Sequence, residues 1–163
     1  MRIAVISDSH QGMLHLERCV QYCKTEKVDQ IFHLGDVLED VRYLQKQIVQ
    51  IPIAAVAGNC DAFSRHQREL RLTLEGKRFL LVHGDKYGVK YGYDRLSYYA
   101  EEAMVDVAVF GQTHRAFAGY LGSALLLNPG ALKNGSMCML EVNEKGVEPH
   151  FVDIDQWYNE QNK

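Results

Sequence analysis

The chain has 163 residues, 47% of them hydrophobic, with 18 Lys+Arg against 21 Asp+Glu, a formal net charge of −3 and seven histidines. That length fits one domain over residues 1–163, large enough to need no disulfide or structural metal. The acidic balance excludes a basic protein that wraps long nucleic acid, and no apolar run reaches the roughly 18 residues that cross a bilayer. Four cysteines, Cys19, Cys23, Cys60 and Cys138, lack framework spacing. Met1 to Ile6 enters an apolar strand directly, without the features of a signal peptide. Reduced thiols and a cytoplasmic location are expected.

Arg2–Ser7, β-branched at three positions, is a strand that stops at Asp8-Ser9-His10. Leu14, Leu16, Cys19, Val20 and Cys23 then mark one face of a helix, which makes the two cysteines small packing groups. Ile31–Leu34 is a buried strand ended by Gly35-Asp36, and Val41, Leu44 and Ile48 suggest a second helix. Ile53–Ala57 is a strand ended by Gly58-Asn59-Cys60-Asp61. Alternation at this spacing points to a parallel sheet with right-handed crossovers. Leu70–Leu74 and Arg78–Val82 flank a Glu-Gly-Lys turn as a hairpin, followed by His83-Gly84-Asp85. Tyr93–Met104 is helical, and Val107–Phe110 is a strand stopped by Gly111-Gln112-Thr113-His114. From Phe117 the chain has an antiparallel pattern, and residues 155–163 form a polar tail expected to fray or dock on a partner. Two packed sheets with helices outside follow from this order.

Five of these strands end in a Gly-, Asp-, Asn- or His-rich turn. In open α/β sheets the functional crevice lies beyond the carboxyl ends of the strands, so these turns would converge. Gly-Asp and Gly-Asn are ordinary turn dipeptides, and one histidine after a strand is usually structural. Repetition of the same rule within one short chain weakens that bland account. Hard oxygen donors mixed with imidazoles suit Mn²⁺, Fe²⁺ or Zn²⁺, and the size of the set suits a pair of ions that clamp an in-line displacement at phosphorus. One carboxylate would be shared, and Asp36, in the middle of the set, is the natural candidate.

The order D-x-H, G-D, G-N-x-D, H-G, G-x-T-H, together with Asn128-Pro129-Gly130, resembles the calcineurin-like metallophosphoesterase superfamily, in particular its small, cap-less YfcE-like phosphodiesterases. The resemblance runs from Arg2 to about Val142. It implies an α/β fold, a four-layer α/β/β/α sandwich of two mixed sheets flanked by helices. It also implies that Asp8, His10, Asp36 and His114 hold one metal, and that Asp36, Asn59, His83 and Gln112 hold the other. Mn²⁺ is the expected ion, with Fe²⁺, Ni²⁺, Zn²⁺ and Mg²⁺ as alternatives. A hydroxide shared between the ions would attack a small phosphodiester.

Three positions depart from the family pattern. Cys60 follows Gly-Asn where a histidine usually protonates the leaving group, and a thiol with a reference pKa of about 8.5 is a poor acid for that work. Gln112 replaces a histidine with a neutral oxygen donor, which weakens the second site or favours harder ions. Asp85 stands where H-G-H is common, and either orients a ligand histidine or is a solvated turn residue.

His33 is expected to be a buried structural residue able to orient Asp36, while His15, His66 and His150 belong to the surface. Asp61 and Asp94 are expected to be helix N-caps. Arg115, next to His114, and Asn59 are candidates for binding the substrate phosphate. The tyrosines from Tyr87 to Tyr99 are mostly helix face and core by spacing, while some of them, with Lys86 and Lys90, are expected to line the cleft or to join copies of the chain in a homo-oligomer. The alternative to an enzyme is an interaction scaffold, because a eukaryotic retromer subunit resembles the same group. The retained ligand-type residues oppose it.

Overall fold

The computed structural model describes residues 1–163. Its elements in chain order are β1 (Arg2–Ile6), α1 (Met13–Thr25), β2 (Gln30–His33), α2 (Glu39–Gln47), β3 (Ile53–Ala55), β4 (Glu69–Leu74), β5 (Lys77–Val82), α3 (Asp94–Glu102), β6 (Val107–Val109), β7 (Ala116–Leu121), β8 (Ala124–Pro129), β9 (Ser136–Asn143), β10 (Gly146–Asp153) and α4 (Ile154–Gln161). Two five-stranded mixed sheets result, ordered β10-β9-β1-β2-β3 and β4-β5-β6-β8-β7. In the first, β1, β2 and β3 are parallel and β9 runs antiparallel to β1. In the second, β5, β6 and β8 are parallel and β4 and β7 are antiparallel edges.

The strand residues explain the layering, because both faces of each central strand are apolar. Ile3 and Val5 of β1 point between the sheets, while Ala4 and Ile6 face α1. In β5, Phe79 and Leu81 point between the sheets, while Leu80 and Val82 pack toward α3. β6, β8 and β9 divide in the same way. Phe32 and Phe79 meet edge-to-face across the central layer, with centroids 5.6 Å apart. The outcome is α/β/β/α, with α1, α2 and α4 outside the first sheet and α3 outside the second. Cys19 and Cys23 are buried on α1 as expected.

Several expectations need correction. Residues 154–161 are not a fraying tail but the helix α4. Asp153 caps it by accepting from the Asp155 and Gln156 N–H groups, and Trp157 packs edge-to-face on Tyr22 of α1 with centroids 5.1 Å apart. Polarity hid this helix because Ile154, Trp157 and Tyr158 are its only apolar residues. His15 and Arg18 both bond Asp155, so His15 is half-buried and not a free surface residue. The chain from Phe117 onward is not purely antiparallel, since β8 inserts parallel to β6. Asp94 lies inside the first turn of α3 and does not cap it. No helix is long and apolar enough to cross a membrane.

Candidate metal centre

β1, β2, β3, β5 and β6 all point their carboxyl ends to one edge of the sandwich, where six ligand-type side chains meet. Asp8 and Asp36 are buried and each has one oxygen tied to backbone. Asp8 Oδ2 accepts from Ser7 Oγ at 2.6 Å and from the Gln112 N–H at 3.2 Å. Asp36 Oδ1 accepts from the Cys60 N–H at 2.9 Å. The second oxygens face each other across the imidazoles. Asp8 Oδ1 lies 3.0 Å from His114 Nε2, 3.7 Å from His10 Nε2 and 4.0 Å from His83 Nε2. Asp36 Oδ2 lies 3.4 Å from His83 Nε2 and 4.0 Å from His10 Nε2.

This packing leaves room for glycine only at two points. A Cβ on Gly58 would meet Asp36 Oδ1 at 2.2 Å, and one on Gly111 would meet Ser7 Oγ at 2.1 Å and Asp8 Oδ2 at 2.8 Å. Asp8, His10, Asp36, Gln112 and His114 all have left-handed backbone, with φ between 44° and 68°. Such residues persist only where surrounding bonds hold them, and they cluster at functional sites.

Charge explains the proton positions. His83 Nδ1 lies 2.6 Å from the Leu34 carbonyl and its Nε2 2.7 Å from Gln112 Oε1, two acceptor oxygens that favour protons on both ring nitrogens. Burial opposes that charge, but the carboxylates of Asp36 and Asp8 and the Leu34 carbonyl overcome it and raise the His83 pKa to about 9. Burial alone would raise the Asp36 carboxyl; His83 and the Cys60 N–H outweigh it and hold the group well below the usual carboxylate range. A cation supplied here would displace the His83 proton. The Leu34 carbonyl would keep Nδ1 protonated and leave Nε2 facing the site.

The residues fit a metal. His10 Nε2 is buried without any hydrogen-bond partner, aimed at both free carboxylate oxygens. Two groupings have donor atoms within 4.8 Å of one another, Asp8–His10–His114 and Asp8–Asp36–His83. Donors that share an ion at about 2.0–2.2 Å stand about 3–3.6 Å apart, close to the spacing found. Asp8 belongs to both groupings, and Asp36 Oδ2 stands between His10 and His83.

Asn59 and Cys60 are exposed on the rim, and Arg115 is exposed beyond His114. Partial burial and the Asp36 carboxylate push the Cys60 thiol up. Asp85 pairs with Arg68 at 2.6 Å and does not orient a histidine. His33 is fully buried and braces two turns. Its Nδ1 accepts from the Gly35 N–H at 3.1 Å, and its Nε2 donates to Ser9 Oγ at 3.0 Å. Burial lowers its pKa to about 4.

Asp61 is the residue whose role the sequence misassigned. It caps no helix. Its Oδ2 accepts from the Asp36 and Gly58 N–H groups and its Oδ1 from Leu38, which ties the turns after β2 and β3 together. The only signal was its place three residues after Gly58, a spacing a cap shares.

Two cavities flank the centre. One, of about 510 Å³, is walled by the first sheet's turns and by α2, including Gln11, Arg42, Cys60 and Phe63. The other, of about 440 Å³, is walled by second-sheet connections, including Lys90, Tyr93, Thr113 and Arg115.

A family model for the calcineurin-like phosphoesterase superfamily domain matches residues 1–145. The chain is 34% identical over 133 residues to the "Probable metallophosphoesterase YsnB" of Bacillus subtilis, covering 82% of this chain and 76% of YsnB. It is 25% identical over 158 residues to vacuolar protein sorting-associated protein 29 (Vps29) of Schizosaccharomyces pombe, covering 95% and 84%. Among solved structures, a predicted phosphoesterase of Streptococcus pneumoniae TIGR4 superposes with a TM-score of 0.77 at 25% identity, covering 94% of this chain and 90% of that one. The two-sheet architecture, the match over residues 1–145 and the likeness to YsnB together place the chain in the calcineurin-like phosphoesterase superfamily, within its small YfcE-like group.

Proposed function

We propose that this protein is a metal-dependent phosphodiesterase acting on a small phosphodiester. The observation that carries the reading is the partnerless, buried His10 Nε2 facing two carboxylate oxygens whose companions are already held by N–H and O–H donors. In this reading Asp8, His10, Asp36 and His114 hold one divalent ion, and Asp36, Asn59, His83 and Gln112 hold a second, with Mn²⁺ favoured by the mixed oxygen and imidazole donors. Bound there, the ions would lower the pKa of water and neutralise the phosphoryl oxygens. Asp36 is the shared carboxylate. The Cys60 N–H and the His83 ring fix its orientation. Cys60 itself, with its thiol pushed up, is a weak proton source for a leaving oxygen. Arg115 binds substrate from the rim.

A diester is favoured over a monoester because it has two organic arms and the centre has a cavity on each sheet's side. An interaction scaffold has in its favour the likeness to Vps29 and the absence of histidine at Cys60 and Gln112. It leaves the strained cluster and its orphaned imidazole unexplained. The test is hydrolysis of bis(p-nitrophenyl) phosphate with Mn²⁺, beside p-nitrophenyl phosphate and an Asp36→Asn control. Diester turnover that Asp36→Asn abolishes is expected. Absence of metal-dependent turnover would favour the scaffold, and turnover that survives the substitution would refute the shared-carboxylate role.

A further inference from the structure

The first-sheet cavity brings an exposed aromatic ring together with two arginines. Phe63 stands wholly in solvent, at 102% relative exposure, on a connection with no regular structure. A single exposed aromatic means little by itself. This one sits two residues after Asp61, whose carboxylate is fused to the Asp36 turn, and Ser64 N–H closes the loop onto the Asp61 carbonyl at 2.9 Å. The backbone that carries the ring is thus anchored beside the centre by the bonds that hold Asp36.

Arg42, Arg65 and His66 share the cavity. The arginine ion pairs of this chain use Arg2, Arg18, Arg68, Arg71 and Arg78, which leaves Arg42 and Arg65 without a carboxylate. The cavity's acids are Glu39 and Asp61, and three N–H groups occupy both oxygens of Asp61. A volume of about 510 Å³ suits a ring-sized group.

We propose that this cavity is the subsite for one arm of the ester and that it takes a planar aromatic group, an aryl ring or a nucleobase, stacked on Phe63 between the guanidinium groups of Arg42 and Arg65. The inference rests on the phosphodiesterase reading, because that reading puts phosphorus at Asp36. Guanidinium groups and aromatic faces both bind flat π-systems, and neither needs a particular hydrogen-bond pattern.

Calorimetric titration of the Mn²⁺-loaded protein with phenylphosphonate and methylphosphonate tests it without any turnover. The two probes share a headgroup and differ in the ring. Phenylphosphonate should bind about ten-fold more tightly, as one stacked ring is worth in other sites. The ratio should persist in Phe63→Tyr and fall close to one in Phe63→Ala, with methylphosphonate affinity unchanged throughout. Adenosine 5′-monophosphate against ribose 5-phosphate repeats the comparison for a nucleobase. A gain with phenylphosphonate alone identifies an aryl arm and a gain in both pairs a nucleobase, and either supports the subsite. Equal binding of the two phosphonates, or a preference that survives Phe63→Ala, would overturn the subsite alone. Failure of both phosphonates to bind would overturn the phosphoester reading and the subsite with it.

Discussion

Replacement of Asp61 by Asn separates the two roles open to this residue. At a helix N-cap, Asn and Asp are nearly equivalent, so the change would be close to neutral. In the structure, Asp61 Oδ2 accepts at 2.9 Å from Asp36 and 2.8 Å from Gly58, and Oδ1 accepts at 2.9 Å from Leu38, all buried donors. The amide can keep its oxygen on Asp36 and Gly58, but its NH₂ then faces the Leu38 N–H. One unsatisfied buried donor costs about 1–3 kcal/mol, and the two remaining bonds lose their charged acceptor at about 0.5–1 kcal/mol each. The sum is about 3 kcal/mol, or a fall of roughly 6–12 °C in Tm for a chain of this size. The Asp36 turn would loosen with it, so Mn²⁺ affinity should fall in the same variant. Circular-dichroism melting of the metal-free protein and calorimetric metal titration read the two effects. A variant with unchanged Tm and unchanged metal affinity would show that Asp61 does not hold these turns.

Stability of the metal-free protein should peak near pH 6.5. His83 has a folded pKa raised from 6.5 to about 9, so its contribution is complete below pH 6.5 and is lost as pH rises through about 9. His33 has a folded pKa lowered from 6.5 to about 4, so its contribution is present above pH 6.5 and is lost as pH falls toward 4. Each is worth up to about 3 kcal/mol, and an unfolding midpoint that stays flat between pH 6.5 and 9 would contradict the His83 charge state. Hydrolysis across a series of aryl and alkyl diesters should slow steeply as leaving-group pKa rises, because Cys60 is a weak acid; a flat dependence would assign leaving-group protonation to another residue. Gln112→His should tighten the weaker of two metal sites in a Mn²⁺ or Zn²⁺ titration, and unchanged affinity would remove Gln112 from the ligand set.

How much of this was legible in the sequence depended on whether local pattern decided the outcome. The strands of both sheets are runs such as Ile3–Ile6 and Phe79–Val82, apolar on both faces, and their ends are marked by Gly-Asp, Gly-Asn or His-Gly. These signals are local, and the structure draws together Asp8, His10, Asp36, His83, Gln112 and His114 as their placement suggested. What local pattern could not carry was partnership over distance. The helix α4 depends on Asp155 meeting His15 and Arg18, about 140 residues earlier in the chain. The Asp85–Arg68 pair and the Asp61 clasp likewise depend on which turns become neighbours in space. The insertion of β8 beside β6 is a matter of topology that strand pattern alone does not specify.

The turn account and the ligand account of the strand-end residues turn out to describe the same property. Asp, Asn and His are the non-glycine residues that best tolerate left-handed backbone, which a chain needs when it leaves a strand abruptly. Asp8, His10, Asp36 and His114 all use that conformation, and in each the reversal points the donor atom back over the sheet edge. Holding five such residues, Gln112 included, costs on the order of 5 kcal/mol in total. The Ser7, Gln112 and Cys60 donors, the Asp61 clasp and the His33 brace all bear on these same turns and offset that cost. A hydrophobic or β-branched replacement at Asp8 or Asp36 would therefore lose twice, by removing a donor and by entering a backbone region it cannot occupy cheaply. Asn, isosteric and equally tolerant of the turn, keeps the backbone and removes the charge, and with it the ion pair to His83, so Asp36→Asn tests the chemistry once melting shows the variant folded.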